Sequence, residues 1–149
     1  MRRALPLVPV DVVQRRLDPH PHEVGPARRW TVRQAASAGI TDEDAAAVLE
    51  LLSSELITNA VRHGEGEVVV SVVRNGTTVG VAVTDAGDGR PAPRDAERDA
   101  VTGRGMLLVA ALSESWGVEH HPMGGTCVWF TVPRTTTTPA DAPRCTMEE

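Results

Sequence analysis

A chain of 149 residues, 41% hydrophobic and 23% charged, carries one domain's worth of polypeptide with enough apolar material for a packed core, which excludes a disordered protein. Its net charge of −5 argues against duplex nucleic acid as a direct partner, because that partner demands a basic face. All fifteen basic side chains are arginine, so no lysine can clamp a phosphate or form a Schiff base, and phosphate contacts must come from arginine, backbone amides or a metal.

Residues 1–22 show no firm periodicity and are expected to form an N-terminal extension to a domain spanning 23–133. The opening MRRALPLVPVDVVQRR has no continuous apolar core and no small-residue cleavage site, and no later run could cross a bilayer, so the expected location is cytoplasmic with no membrane partner. From Pro26 to Ala38, the spacing of Trp30, Val32, Ala35 and Ala36 predicts a helix that Gly39 would terminate. Thr41 is placed as the cap of a second helix, with Asp42, Glu43 and Asp44 in the first turn, where the helix dipole favours negative charge. That helix is expected to run to Arg62 or His63 and stop at Gly64.

Its second half, SELITNAVRHG, is unusual. At 100° per residue Ala45, Val48, Leu52 and Glu55 share one arc, which Asn59 and His63 continue, while Glu43, Glu50, Ser54 and Thr58 lie opposite. A carboxylate and an amide therefore extend an apolar stripe. Burial requires partners for them: an arginine, a metal, a water network or a ligand. A satisfied core network fits the stripe alone equally well.

Two alternating runs, 67–74 and 77–85, flank Asn75-Gly76 and predict a tight hairpin. The second run ends TDAGDG, where Asp85, Gly87 and Gly89 allow a sharp turn and close backbone approach. After a polar stretch, TGRGM sets Gly103 and Gly105 at the head of an apolar helical run, where free N–H groups and the dipole favour an anion. Either cluster alone also fits a plain connection; neither is a Walker loop or a dinucleotide fingerprint. SWGVEHH and TCVWFTV, joined by PMGG, form a closing hairpin, and the tail from 134 to 149 is expected to be disordered. Cys127, in that hairpin, is expected to be a small core residue, and two cysteines provide no disulfide framework. Helices ahead of antiparallel hairpins predict an α+β two-layer sandwich.

Glu-x-x-x-Asn on a helix, Asp-x-Gly-x-Gly after a strand and Gly-x-Gly before a helix occur in that order over residues 55–105. This resembles the ATP-binding domain of histidine kinases and DNA gyrase, with its N box and two glycine boxes. SELITNAVRHG, TDAGDGRP and GRGMLLV look most like the anti-sigma-factor serine kinases, over about Ala27 to Val132. The resemblance implies a Bergerat-type fold, with a mixed, mainly antiparallel sheet and helices on one face. It implies ATP and Mg²⁺ as cofactors. Glu55 would be the general base and Asn59 the magnesium ligand. Asp85 would accept the adenine amino group, with Gly87 letting the base lie close to the backbone, Gly89 also at the nucleotide site, and Thr126 supporting Asp85 from a neighbouring strand. Gly103 and Gly105 would cradle phosphates, with Arg104 as a candidate cation whose side chain could equally face solvent. His63 resembles the histidine that closes the N box, and equally fits a helix-end cap. Residues 90–102 would be the ATP lid, but they lack the threonine- and lysine-containing stretch of the better-understood anti-sigma kinases. The implied partners are a sigma factor, an antagonist protein, or both, with a homodimer as a candidate state. A non-catalytic ATP-dependent protein-binding module is the competing reading.

Overall fold

The computed structural model describes residues 11–63, 66–85, 105–122 and 124–134. Helix α1 spans Val24–Ser37 and helix α2 spans Glu43–His63. A third, short helix, α3, occupies 105–112. The strands are β1 (Asp11–Leu17), β2 (Val68–Asn75), β3 (Thr78–Asp85), β4 (Ser115–His120) and β5 (Thr126–Pro133). They form one sheet in the order β1-β2-β3-β5-β4, and every pairing among the described residues is antiparallel, so the expected mixture is absent there. The result is the expected α+β two-layer sandwich.

Alternation along the strands decides which face is covered. Leu17, Val68, Val70, Val72, Val79, Val81, Val83, Phe130 and Val132 join Leu49, Leu52, Leu56 and Ile57 of α2 in one buried cluster, so the helices cover this face. The alternate positions, among them Ala82, Cys127 and Trp129, point to the other side. There the Trp129 indole lies flat over Gly117, where a Cβ would come within 2.6 Å of the ring. Cys127 is therefore half-buried on the face that no described helix covers and is not part of the buried cluster.

Three local features differ from expectation. The helix cap falls on Asp42, whose carboxylate accepts the Ala45 N–H at 2.9 Å, one residue after Thr41. The hairpin turn is centred on Gly76-Thr77, because Asn75 still pairs with Thr78; Gly76, at φ 59°, supplies the positive φ that a tight hairpin turn needs. β1 lies within residues 1–22, where no strand was expected. It pairs along its full length with β2, and the exposed ion pairs Arg74–Asp11 and Arg16–Glu67 tie the two strands. No helix among the described residues is long and apolar enough to cross a membrane.

Candidate functional site

The deepest stripe of α2 is Leu49, Leu52, Ser53, Leu56, Ile57 and Val61. Glu55 and Asn59, one turn apart, are half-buried on the flank of that stripe, at the margin of the packed face. The flank is where α3 begins. Gly105, buried at the head of α3, approaches so closely that a Cβ on it would lie 3.0 Å from Glu55 Oε1 and 3.3 Å from Asn59 Nδ2. Hydrogen at this position thus lets a helix start pack directly on two polar side chains, and the three groups together are the candidate cradle. Residues fifty positions apart in sequence converge here. His63 is half-buried in the last turn of α2, where a basic side chain complements the carbonyl end of the helix.

The second half of the site is set by strand register. Asp85 ends β3 and pairs with Val68 on one side and Thr126 on the other, and Thr126 in turn pairs with His120. Directly opposite residues in antiparallel strands point to the same face, so Asp85, Thr126 and His120 form a row on the helix-covered side. The Thr126 hydroxyl lies 3.3 Å from His120 Nδ1. Because the chain leaving α2 enters β2 at Val68, this row shares one end of the sheet with Asn59 and His63. The turn into β5 closes on it: Gly125 has φ 97°, and a Cβ there would lie 2.6 Å from the Asp85 carbonyl oxygen. Only glycine combines that backbone conformation with that approach.

Gly125 and His120 are site neighbours that sequence reasoning missed. The signal was present in the Gly-Gly preceding Thr126 and in the equal distances of His120 and Thr126 from the centre of the loop. Gly87, Gly89, Gly103, Arg104 and the lid at 90–102 lie outside the described residues. On the opposite face, burial pushes the Cys127 thiol above its ordinary range, with the Glu119 and Asp85 carboxylates adding to the rise and a hydrogen bond with Thr84 opposing it.

Among the described residues, no three His, Cys, Asp or Glu side chains gather into a cage. The Asn59 amide atom nearest Gly105 is Nδ2, so Asn59 would have to turn its Oδ1 to this side to hold an ion that takes few protein oxygens and the rest from phosphate and water.

The family described as histidine kinase-like ATPase domain matches residues 17–132. The sensor histidine kinase PdtaS of Mycolicibacterium smegmatis is 30% identical to this chain over 111 residues, which cover 68% of the chain and 22% of that protein. The chain therefore spans less than a quarter of that relative's length.

Proposed function

The chain belongs to the histidine kinase-like ATPase domain family, and on that premise we propose that it is an ATP-binding regulator that phosphorylates serine or threonine on a partner protein, in a partner switch governing a sigma factor. The observation that supports this best is Gly105 packed against Glu55 and Asn59, at the end of the sheet where Asp85 stands opposite Thr126. A helix start beside a carboxylate and an amide suits a triphosphate, and a carboxylate at a strand end suits the amino group of a base.

In this reading Asp85 accepts from the adenine amino group. The motif assigns the approach to the base to Gly87 and Gly89, and the phosphates to Gly103, Arg104 and Gly105. Asn59 would hold magnesium through its amide oxygen, and the ion would supply neutralisation of phosphate charge. Glu55 takes the proton of the partner's hydroxyl; that oxygen bonds to the γ-phosphorus while the bond to the bridging oxygen breaks, and ADP leaves with that electron pair. Exposed Leu107, Leu108 and Leu112 on α3, with Trp116 and Val118 on β4, offer apolar surface to the sigma factor or antagonist. The competing reading, a non-catalytic module whose nucleotide state controls partner binding, is favoured by one feature: residues 90–102 hold three acidic side chains and no lysine.

The test uses labelled Mg-ATP and candidate partners, alongside calorimetry. Glu55→Ala is expected to slow transfer by about 10²- to 10⁴-fold while leaving ATP affinity within about twofold, as loss of a general base should. Asp85→Asn should weaken ATP binding in either reading. ATP bound without any phosphoserine or phosphothreonine leaves the binding module standing. Absence of Mg-ATP binding removes both.

A further inference from the structure

The row across the sheet end does not stop at Thr126. His120 occupies the next strand in direct register, and its Nδ1 is 3.3 Å from the Thr126 hydroxyl. Nothing in the proposed chemistry uses this imidazole. Yet it sits one strand beyond the residue that faces Asp85, on the same side of the sheet.

We propose that His120 is a positioning residue for base recognition, holding the Thr126 hydroxyl in one rotamer beside Asp85 and setting the direction in which it donates. The role rests on the reading of Asp85 as the carboxylate that accepts a base amino group. A threonine hydroxyl has one proton and two lone pairs, and its rotation is otherwise free. When His120 Nδ1 carries hydrogen, it donates to Oγ1 and releases the hydroxyl proton toward the Asp85 side. Asp85 then accepts and Thr126 donates, directly or through a water. Adenine presents a complementary edge, an amino donor beside the N1 acceptor. Guanine reverses both positions, with O6 as acceptor and N1–H as donor, and would leave like groups facing one another. His120 thereby favours adenine over guanine without touching the base.

The test measures the affinities of Mg-ATP and Mg-GTP by calorimetry on the full chain and its variants, with thermal melts to verify folding. His120→Ala is expected to weaken ATP binding by about three- to tenfold, the net worth of one hydrogen bond, and to leave GTP binding unchanged, so that the ratio shrinks. His120→Asn should restore most of the ratio, because its amide N–H can donate from nearly the same place. In a Thr126→Val background, His120→Ala should have no further effect, since its influence passes through the hydroxyl. Glu119→Ala, on the other face of β4, serves as the control and should change neither affinity. An unchanged ATP/GTP ratio in His120→Ala, an equal loss for both nucleotides, or the same loss in the Thr126→Val background would overturn the role. Wild-type protein that binds no ATP, or Asp85→Asn with normal selectivity, would instead strike the underlying reading of the site.

Discussion

At the end of the sheet where β2 turns into β3, Arg134 donates from its backbone N–H to Thr77 and from Nη1 to the Gly76 carbonyl, at 2.7 and 2.8 Å. Gly39, just past α1, comes in so closely that a Cβ there would lie 2.5 Å from Arg134 Nε. The other end has comparable close approaches, but they leave polar side chains gathered along its inner face: Glu55 and Asn59 under Gly105, and Asp85 beside Thr126 and His120. Both ends need glycine, for different reasons. At the hairpin end the missing Cβ lets backbone and an arginine knit three segments together. At the Asp85 end it lets the head of α3 pack on two polar side chains and the turn into β5 pack on the Asp85 carbonyl.

The largest expected effect tests that contrast directly. Gly105→Val would push branched carbons into the cradle beside Glu55 Oε1 and Asn59 Nδ2. ATP affinity is expected to fall by about 30- to 100-fold, on the order of 2–3 kcal/mol by the conversion of fold-change to free energy. The loss of ATP affinity should exceed the loss of stability, which is confined to repacking at buried Gly105 and the half-buried groups it meets. A variant that binds ATP normally would show that the cradle is not where phosphate sits. Gly39→Ala sharpens the contrast from the other side. Its φ of 121° is unfavourable for any residue with a Cβ, so stability should drop by about 1–2 kcal/mol while ATP affinity stays at wild type. Calorimetry and thermal melts of the two variants should give opposite patterns; similar patterns would erase the distinction between the two ends.

How much of this was legible in the sequence depends on how local each signal is. α1, α2, the first hairpin and the closing hairpin were visible because apolar period and turn residues act within a few positions. β1 was not, because Gln14-Arg15-Arg16 interrupts alternation, and what holds it is pairing with residues 68–74, far along the chain. The cap on Asp42 and the turn at Gly76-Thr77 are each displaced by one residue, since Thr41 and Asp42 are similar capping residues and Asn75 can pair or turn. Glu55 and Asn59 were recognised as out of place on an apolar stripe. Their position on its flank could not be seen without α3, whose approach supplies the neighbour. His120 and Gly125 required the register of β4 against β5, a property of the pairing that no single segment displays.

The smallest effect separates the two faces of the sheet at the Asp85 end. Cys127 follows Thr126 directly, yet alternation sends its side chain to the face that no described helix covers, opposite Thr84. Burial is the main reason its thiol resists ionisation, and the nearby carboxylates of Glu119 and Asp85 add to it. The folded chain therefore keeps this proton to higher pH than the unfolded chain does. The sign follows: below the ordinary thiol range the group contributes no pH dependence, and stability declines as pH rises through and above that range, because the unfolded state then loses the proton first. Alkylation by iodoacetamide at mildly alkaline pH should be slower in folded than in urea-denatured protein, since the thiolate is the reactive form. Cys145 needs replacement by Ser so that a single thiol is followed. Saturating Mg-ATP should leave the Cys127 rate unchanged, because the nucleotide would bind on the helix-covered side with the sheet between them. Protection of Cys127 by ATP would instead put the ligand on the open face, against the row formed by Asp85, Thr126 and His120.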